Sequence, residues 1–157
     1  MTAAKAGSAG SQKTPHGAKD EHRRIRKLAV IGTGKLGEAL LSSMLGAQLL
    51  PVSHVVATDA DPPRADYIGE KYGIKTTTNN RQAVAGADLV MLCVKPQQVA
   101  EVLRGIRKRL SKNALVISVA ASVTSGLIER ELERGQRVVR VMPNTPALVG
   151  KGIAALC

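Results

Sequence analysis

Gly32-Thr33-Gly34-Lys35-Leu36-Gly37 constrains this chain more than any other feature, because it fits G-x-G-x-x-G. Alone, the hexapeptide occurs by chance in many glycine-rich loops. Here it directly follows Leu28-Ala29-Val30-Ile31, a wholly apolar run of the kind expected of a strand covered on both faces. It directly precedes Leu36, Leu40, Ser43, Met44 and Ala47, which recur at helical spacing. Strand, glycine turn and helix together are the context that the motif needs. The first glycine makes the tight turn, the second lets a pyrophosphate approach the backbone, and the third lets helix and strand pack closely. The free N–H groups of the helix N-terminus then meet the phosphate charge.

The rest of the chain repeats this alternation. Val55–Ala57 reads as a second strand, 63–72 as a helix ending at Gly73, and Lys75–Thr78 as a short strand followed by a small helix over Arg81–Ala85. Leu89–Val94 is the strongest strand. Pro96 opens a helix whose apolar stripe is Val99, Val102, Leu103, Ile106 and Leu110. Leu115–Val119, a helix over 124–134 and Val138–Met142 complete the pattern. Strands alternating with helices imply crossover connections, so the expectation is an α/β fold of the Rossmann type, doubly wound on a mainly parallel sheet. It spans 25–157 as one dinucleotide-binding domain. Residues 1–24, rich in Ala, Gly, Ser and Lys without hydrophobic period, are expected to form a disordered basic tail.

The formal charge of +11 looks like a nucleic-acid signal until it is divided. Residues 1–27 hold seven basic and two acidic residues, leaving the remaining 130 at +6, a charge suited to an anionic small ligand. Aromatics are confined to Tyr67 and Tyr72, so stacking on bases is excluded as a general device, and no nucleic-acid motif accompanies the charge. No apolar run reaches membrane-spanning length. Cys93 and Cys157 have no metal-type spacing, and so few cysteines fit a reducing cytoplasm. His16 and His22 fall in the tail and are poor catalytic candidates.

Asp59 stands just past the second strand, 22 residues after Gly37. An acid there can accept hydrogen bonds from the adenosine ribose hydroxyls, which favours NAD. Arg64 nearby would instead welcome a 2′-phosphate, and Asp59 or Asp61 could simply cap the helix ahead of Pro62 and Pro63. Three further loops leave carboxyl ends of strands, where open α/β sheets bind ligands: Cys93-Val94-Lys95-Pro96, Ser118–Ser122 and Met142–Pro146. Their small and polar residues suit a flat nicotinamide ring, although each also reads as an ordinary connection and Cys93 as a buried strand cysteine.

In order, LAVIGTGKLGEAL at 28–40, LVMLCVKPQQV at 89–99, VISVAASV at 116–123 and RVMPNTPALVGKG at 140–152 resemble the N-terminal domain of pyrroline-5-carboxylate reductases. The PNTP segment followed by VGxG is the most specific of these. The resemblance implies binding of NADPH or NADH and hydride transfer to the C=N bond of 1-pyrroline-5-carboxylate, giving L-proline. It implies cofactor contacts at Gly32, Thr33, Gly34, Lys35, Leu36 and Gly37, and at Thr58, with Asp59 beside it, and Asn80. Around the nicotinamide it implies Cys93, Val94, Lys95, Pro96, Val119, Ala120 and Ala121, with Asn144 and Thr145 near the reacting ring. The family usually has Gly where this chain has Ser122, so that loop is expected to sit differently.

The reaction asks mainly for positioning, since a protonated imine is already electrophilic and the hydride comes from the cofactor. Accordingly no catalytic acid or base is assigned, and no metal. In the family a helical C-terminal domain forms the homo-oligomer and much of the carboxylate pocket. This chain stops at Cys157, so that domain is expected to be absent. The expectation is a truncated reductase of the cytoplasm acting on a small molecule, with neither nucleic acid nor membrane as partner. A stand-alone dinucleotide-binding module without reductase activity is the alternative.

Overall fold

The computed structural model describes residues 25–144, 146 and 154–156. The expected tail, Thr145 and Cys157 lie outside the described residues. The sheet is built from β1 (Leu28–Ile31), β2 (Val55–Thr58), β3 (Lys75–Thr77), β4 (Leu89–Leu92), β5 (Leu115–Ser118), β6 (Arg137–Pro143) and β7 (Ala154–Leu156). Its order is β3-β2-β1-β4-β5-β6-β7, parallel throughout except for β7, which runs antiparallel to β6. The chain moves outward from β1 in one direction, returns, and moves out in the other. That reversal between β1 and β4 is the topological switch point of a doubly wound fold, where ligands settle.

The two directions of travel put helices on opposite faces. The helices α1 (Lys35–Gly46) and α2 (Pro62–Tyr72) send Leu41 and Ile68 against Leu28, Val30, Val55, Ala57 and Met91. On the other face α3 (Asn80–Val84), α4 (Val99–Ile106) and α5 (Ser125–Glu131) send Val84, Leu103, Ile106 and Ile128 against Ala29, Ile31, Val90, Leu92 and Val116. Consecutive residues of β1 and β4 thus belong to different cores, which is why those strands read as unbroken apolar runs rather than alternating ones. Burying each such Leu, Ile or Val contributes about 2 kcal/mol.

Several local boundaries differ from the sequence reading. β4 ends at Leu92, leaving Cys93 and Val94 in the connection. Pro96 opens a 3-10 turn over Pro96–Gln98 before α4 begins. The helix expected over 124–134 stops at Glu131, and Gly135 at φ +86° turns the chain into β6. β7 was not anticipated at all, since Ala154-Ala155-Leu156 carries no alternation. By contrast α2 ends as expected, with Gly73 at φ +64° and its N–H on the Gly69 carbonyl at 2.9 Å.

Candidate functional site

Strands β1, β2 and β4, neighbours in the sheet, converge at the glycine turn. Gly32 donates its N–H to the Thr58 carbonyl at 2.9 Å, and Cys93 donates to the Ile31 carbonyl at 2.8 Å, so the ends of β1, β2 and β4 are stitched together. Each glycine then has a separate reason. Gly32 sits at φ +89°, and a Cβ there would lie 2.9 Å from both the Cys93 carbonyl oxygen and Val94 Cγ1. At Gly37 a Cβ would overlap the Gly32 carbonyl oxygen and stand 3.0 Å from Cys93 Cβ. At Gly34 a Cβ would meet nothing within 4 Å. Gly34 therefore carries no side chain in a place where the protein itself offers no obstacle, and it faces a cleft of about 300 Å³.

That cleft brings together Gly32, Gly34, Thr58, Asp59, Asn80, Cys93, Val94 and Lys95 from the residues picked out in the sequence. Ala60, Gln98 and Val102 also line it and were missed. Val102 was read only as part of the core stripe, and Gln98 lies just beyond the Lys95-Pro96 pair where the loop was taken to end. Thr58 donates its hydroxyl to Asn80 Oδ1 at 2.6 Å, which fixes two polar groups of the wall against each other. Next to the cleft, an open groove of about 580 Å³ continues past Ala60, Asn80, Gln98 and Val102 between α3 and α4.

Other expected residues take different places. Thr33 is buried and turned into the protein, its N–H and hydroxyl both donating to Asp59 Oδ2 at 2.9 and 2.8 Å. Lys35 and Leu36 start α1, Lys35 exposed and Leu36 half-buried. Pro96 is exposed. Val119, Ala120 and Ala121 follow β5, with Val119 N–H on the Leu92 carbonyl at 3.1 Å, so they stand beside the β4 loop rather than in the cleft wall. Asn144 follows β6 and is exposed. Cys93, read as a buried strand cysteine, instead sits half-buried just past β4 on the cleft wall, where desolvation pushes its pKa up to about 12 and keeps the thiol protonated at neutral pH. Ser122 takes φ +60°, the left-handed region that favours glycine.

Asp59 is the electrostatic centre of the β2 end. Burial alone would raise its pKa, but the bonds from the Thr33, Asp61 and Ala60 backbones and the Thr33 hydroxyl outweigh it, so the carboxyl stays below its ordinary value. Asp61, not Asp59, occupies the cap position of α2, and it makes no side-chain capping bond. Arg64 reaches across from α2: its Nε and Nη2 donate to the Thr33 carbonyl at 2.8 and 2.6 Å, and Nη2 also pairs with Glu38. Glu38 on α1 further accepts from Lys71 at 2.8 Å and Tyr72 at 3.0 Å. Lys71 foremost, against the opposing effect of burial and with help from Arg64 and Tyr72, holds the Glu38 pKa down at about 2.

Residues 27–122 match the family described as NADP oxidoreductase coenzyme F420-dependent. The chain belongs to that family. Among its relatives within reach of sequence comparison, the pyrroline-5-carboxylate reductase of Corynebacterium melassecola is 42% identical over 132 residues, covering 82% of this chain and 48% of the relative. A solved pyrroline-5-carboxylate reductase from Coxiella burnetii superposes with a TM-score of 0.79 at 34% identity, over 85% of this chain and 49% of that one. A Plasmodium falciparum pyrroline carboxylate reductase with NADP bound superposes at 0.74 with 25% identity, over 85% and 48%. The chain thus spans about half the length of the reductases it matches. No helix among the described residues is long and apolar enough to cross a membrane.

Proposed function

We propose that this chain is the dinucleotide-binding part of a pyrroline-5-carboxylate reductase, holding NADPH or NADH across the β1–β4 switch point. The observation that carries the reading is the division of roles among three glycines. Two are required by protein atoms, while Gly34 has only the open cleft before it. A pyrophosphate over Gly34 would meet the N-terminal N–H groups of α1, with Thr58, Asp59 and Asn80 along the adenosine side and Cys93–Pro96 with Val119–Ala121 toward the nicotinamide. When bound, the dinucleotide supplies a hydride for the carbon of a C=N bond. The chain's own part is to hold the nicotinamide edge against small side chains such as Ala120 and Ala121. Asn144 and Thr145 would stand nearest the reacting ring, and Thr145 lies outside the described residues.

The substrate in this reading is 1-pyrroline-5-carboxylate, the product L-proline and the compartment the cytoplasm, with oligomerisation through the half of the longer relatives that the match does not span. Because the chain spans about half of those relatives, a dinucleotide-binding module without reductase activity is the second reading. Calorimetric titration separates binding from its absence: NADH or NADPH should bind at micromolar affinity or better, about −8 kcal/mol. No heat and no thermal shift with either nucleotide would overturn the proposal. Both readings predict this binding, so the titration tests the dinucleotide site that they share.

A further inference from the structure

One carboxylate stands at the end of β2, and the cations Arg64, Arg81 and Lys95 are each placed differently. Asp59 lines the cleft at the first residue past β2, where the adenosine ribose rests in folds of this topology. Its carboxylate is held in position from two sides, Oδ2 accepting both Thr33 bonds and Oδ1 accepting the Asp61 N–H at 3.1 Å. The Ala60 backbone also helps to hold this carboxylate, so its roughly four acceptor positions are taken up by the protein, and what it presents to the cleft is a fixed negative charge. Arg64, the nearest cation in sequence, is bent toward the glycine turn. It donates from Nε and Nη2 to the Thr33 carbonyl, pairs with Glu38, and lies over the Tyr67 ring at 5.2 Å. Arg81 on α3 donates its Nε to the Gly105 carbonyl at 2.9 Å, toward α4. Lys95, the cation that lines the cleft itself, belongs to the loop after β4, across the switch point from β2.

We infer that this chain selects NADH over NADPH, and that Asp59 is the residue responsible. A phosphate on the ribose 2′ oxygen would meet a fixed carboxylate at short range, and like charges in a partly buried site repel strongly. To greet that phosphate instead, Arg64 would have to leave the Thr33 carbonyl and Glu38 together. The ionised state of Asp59 at neutral pH, secured by its hydrogen bonds, keeps the repulsion in force. The inference rests on the dinucleotide reading above, and it gives this chain a preference that differs from the NADP in its family's description.

Parallel titrations of the full chain with NADH and with NADPH, on the wild type and on Asp59→Asn, test it. The wild type should bind NADH at least about tenfold more tightly than NADPH. Asp59→Asn keeps an oxygen for Thr33 but removes the charge, so the NADH-to-NADPH affinity ratio should fall about tenfold, chiefly through tighter NADPH. Equal or tighter NADPH binding by the wild type would overturn the inference while leaving the dinucleotide reading intact. An unchanged ratio in Asp59→Asn, with its melting curve still cooperative, would remove Asp59 from the role. Binding of neither nucleotide would instead overturn the dinucleotide reading, and the selectivity with it.

Discussion

At the scale of single residues, two glycines three positions apart should respond to substitution in opposite ways. Gly34→Val adds its side chain where nothing stands within 4 Å, so the fold should survive while the pyrophosphate approach is blocked. Calorimetry should then show nucleotide binding lost, with a melting temperature close to wild type. Gly37→Ala places a methyl on the Gly32 carbonyl, and the turn must move, at a cost of about 3 kcal/mol. Urea unfolding would detect that loss directly. Ser122 supplies the converse case. Its φ of +60° is strained for a residue with a Cβ, so Ser122→Gly should raise stability by about 1 kcal/mol after glycine's extra chain entropy is counted. A lower urea midpoint for Ser122→Gly would show that the strain is not there. The spacing of the three glycines was plain in the sequence. Their separate reasons were not, because Cys93 and Val94, which crowd Gly32, come from the loop after β4, about sixty residues away.

At the scale of elements, α1 and α2 are joined at one end by Glu38, which gathers Arg64, Lys71 and Tyr72 from α2. Its pKa is depressed in the folded chain, so its stabilisation is complete above the unfolded value of about 4.5 and fades as pH falls through about 2. Glu38→Gln should therefore destabilise the chain by about 1 kcal/mol at neutral pH, with the side chain partly exposed to solvent screening. The gap between wild type and variant should narrow as pH drops from about 5 toward about 2. Urea midpoints at several pH values check this, and a gap that stays constant would assign the cost to packing instead. None of this cluster was read from the sequence, since Glu38 looked like any acid in a first helical turn. The elements themselves were legible wherever burial is two-sided or a stop signal is local, as in β1, β4 and Gly73. They were missed where pairing across the sheet decides, as in β7, which exists through its ladder with Val141–Pro143.

At the scale of the whole molecule, the sheet's coverage is uneven. α1 and α2 cover β1, β2 and part of β4 on one face, while α3, α4 and α5 cover the other. At the far edge Leu156 of β7 is 72% exposed. Among the described residues α5 is the last α-helix and packs on β6, and the reductases that the chain matches have about as much chain again. Turnover of 1-pyrroline-5-carboxylate by the 157-residue chain should consequently stay near background even with saturating nucleotide, as a proline assay would show. Robust proline formation by this chain would mean that the site is complete within it. Saturating nucleotide should still stabilise the fold, by about 2.7 kcal/mol at a hundred times the Kd.

The order of residue types along the chain was enough to determine the doubly wound sheet and the glycine turn, because these depend on local spacing and on burial that repeats with the period of the element, while the family was legible through resemblance of four segments to known reductases. Folding alone decided how the turn is used. Thr33 turns inward to Asp59, Arg64 is drawn from the ribose end to the Thr33 carbonyl, and Gly34 is left as the one open glycine of the three. Those outcomes depend on hydrogen-bond partners and steric neighbours brought from separate strands and helices. No spacing along the chain encodes which of two nearby charges, Asp59 or Arg64, will face the cleft.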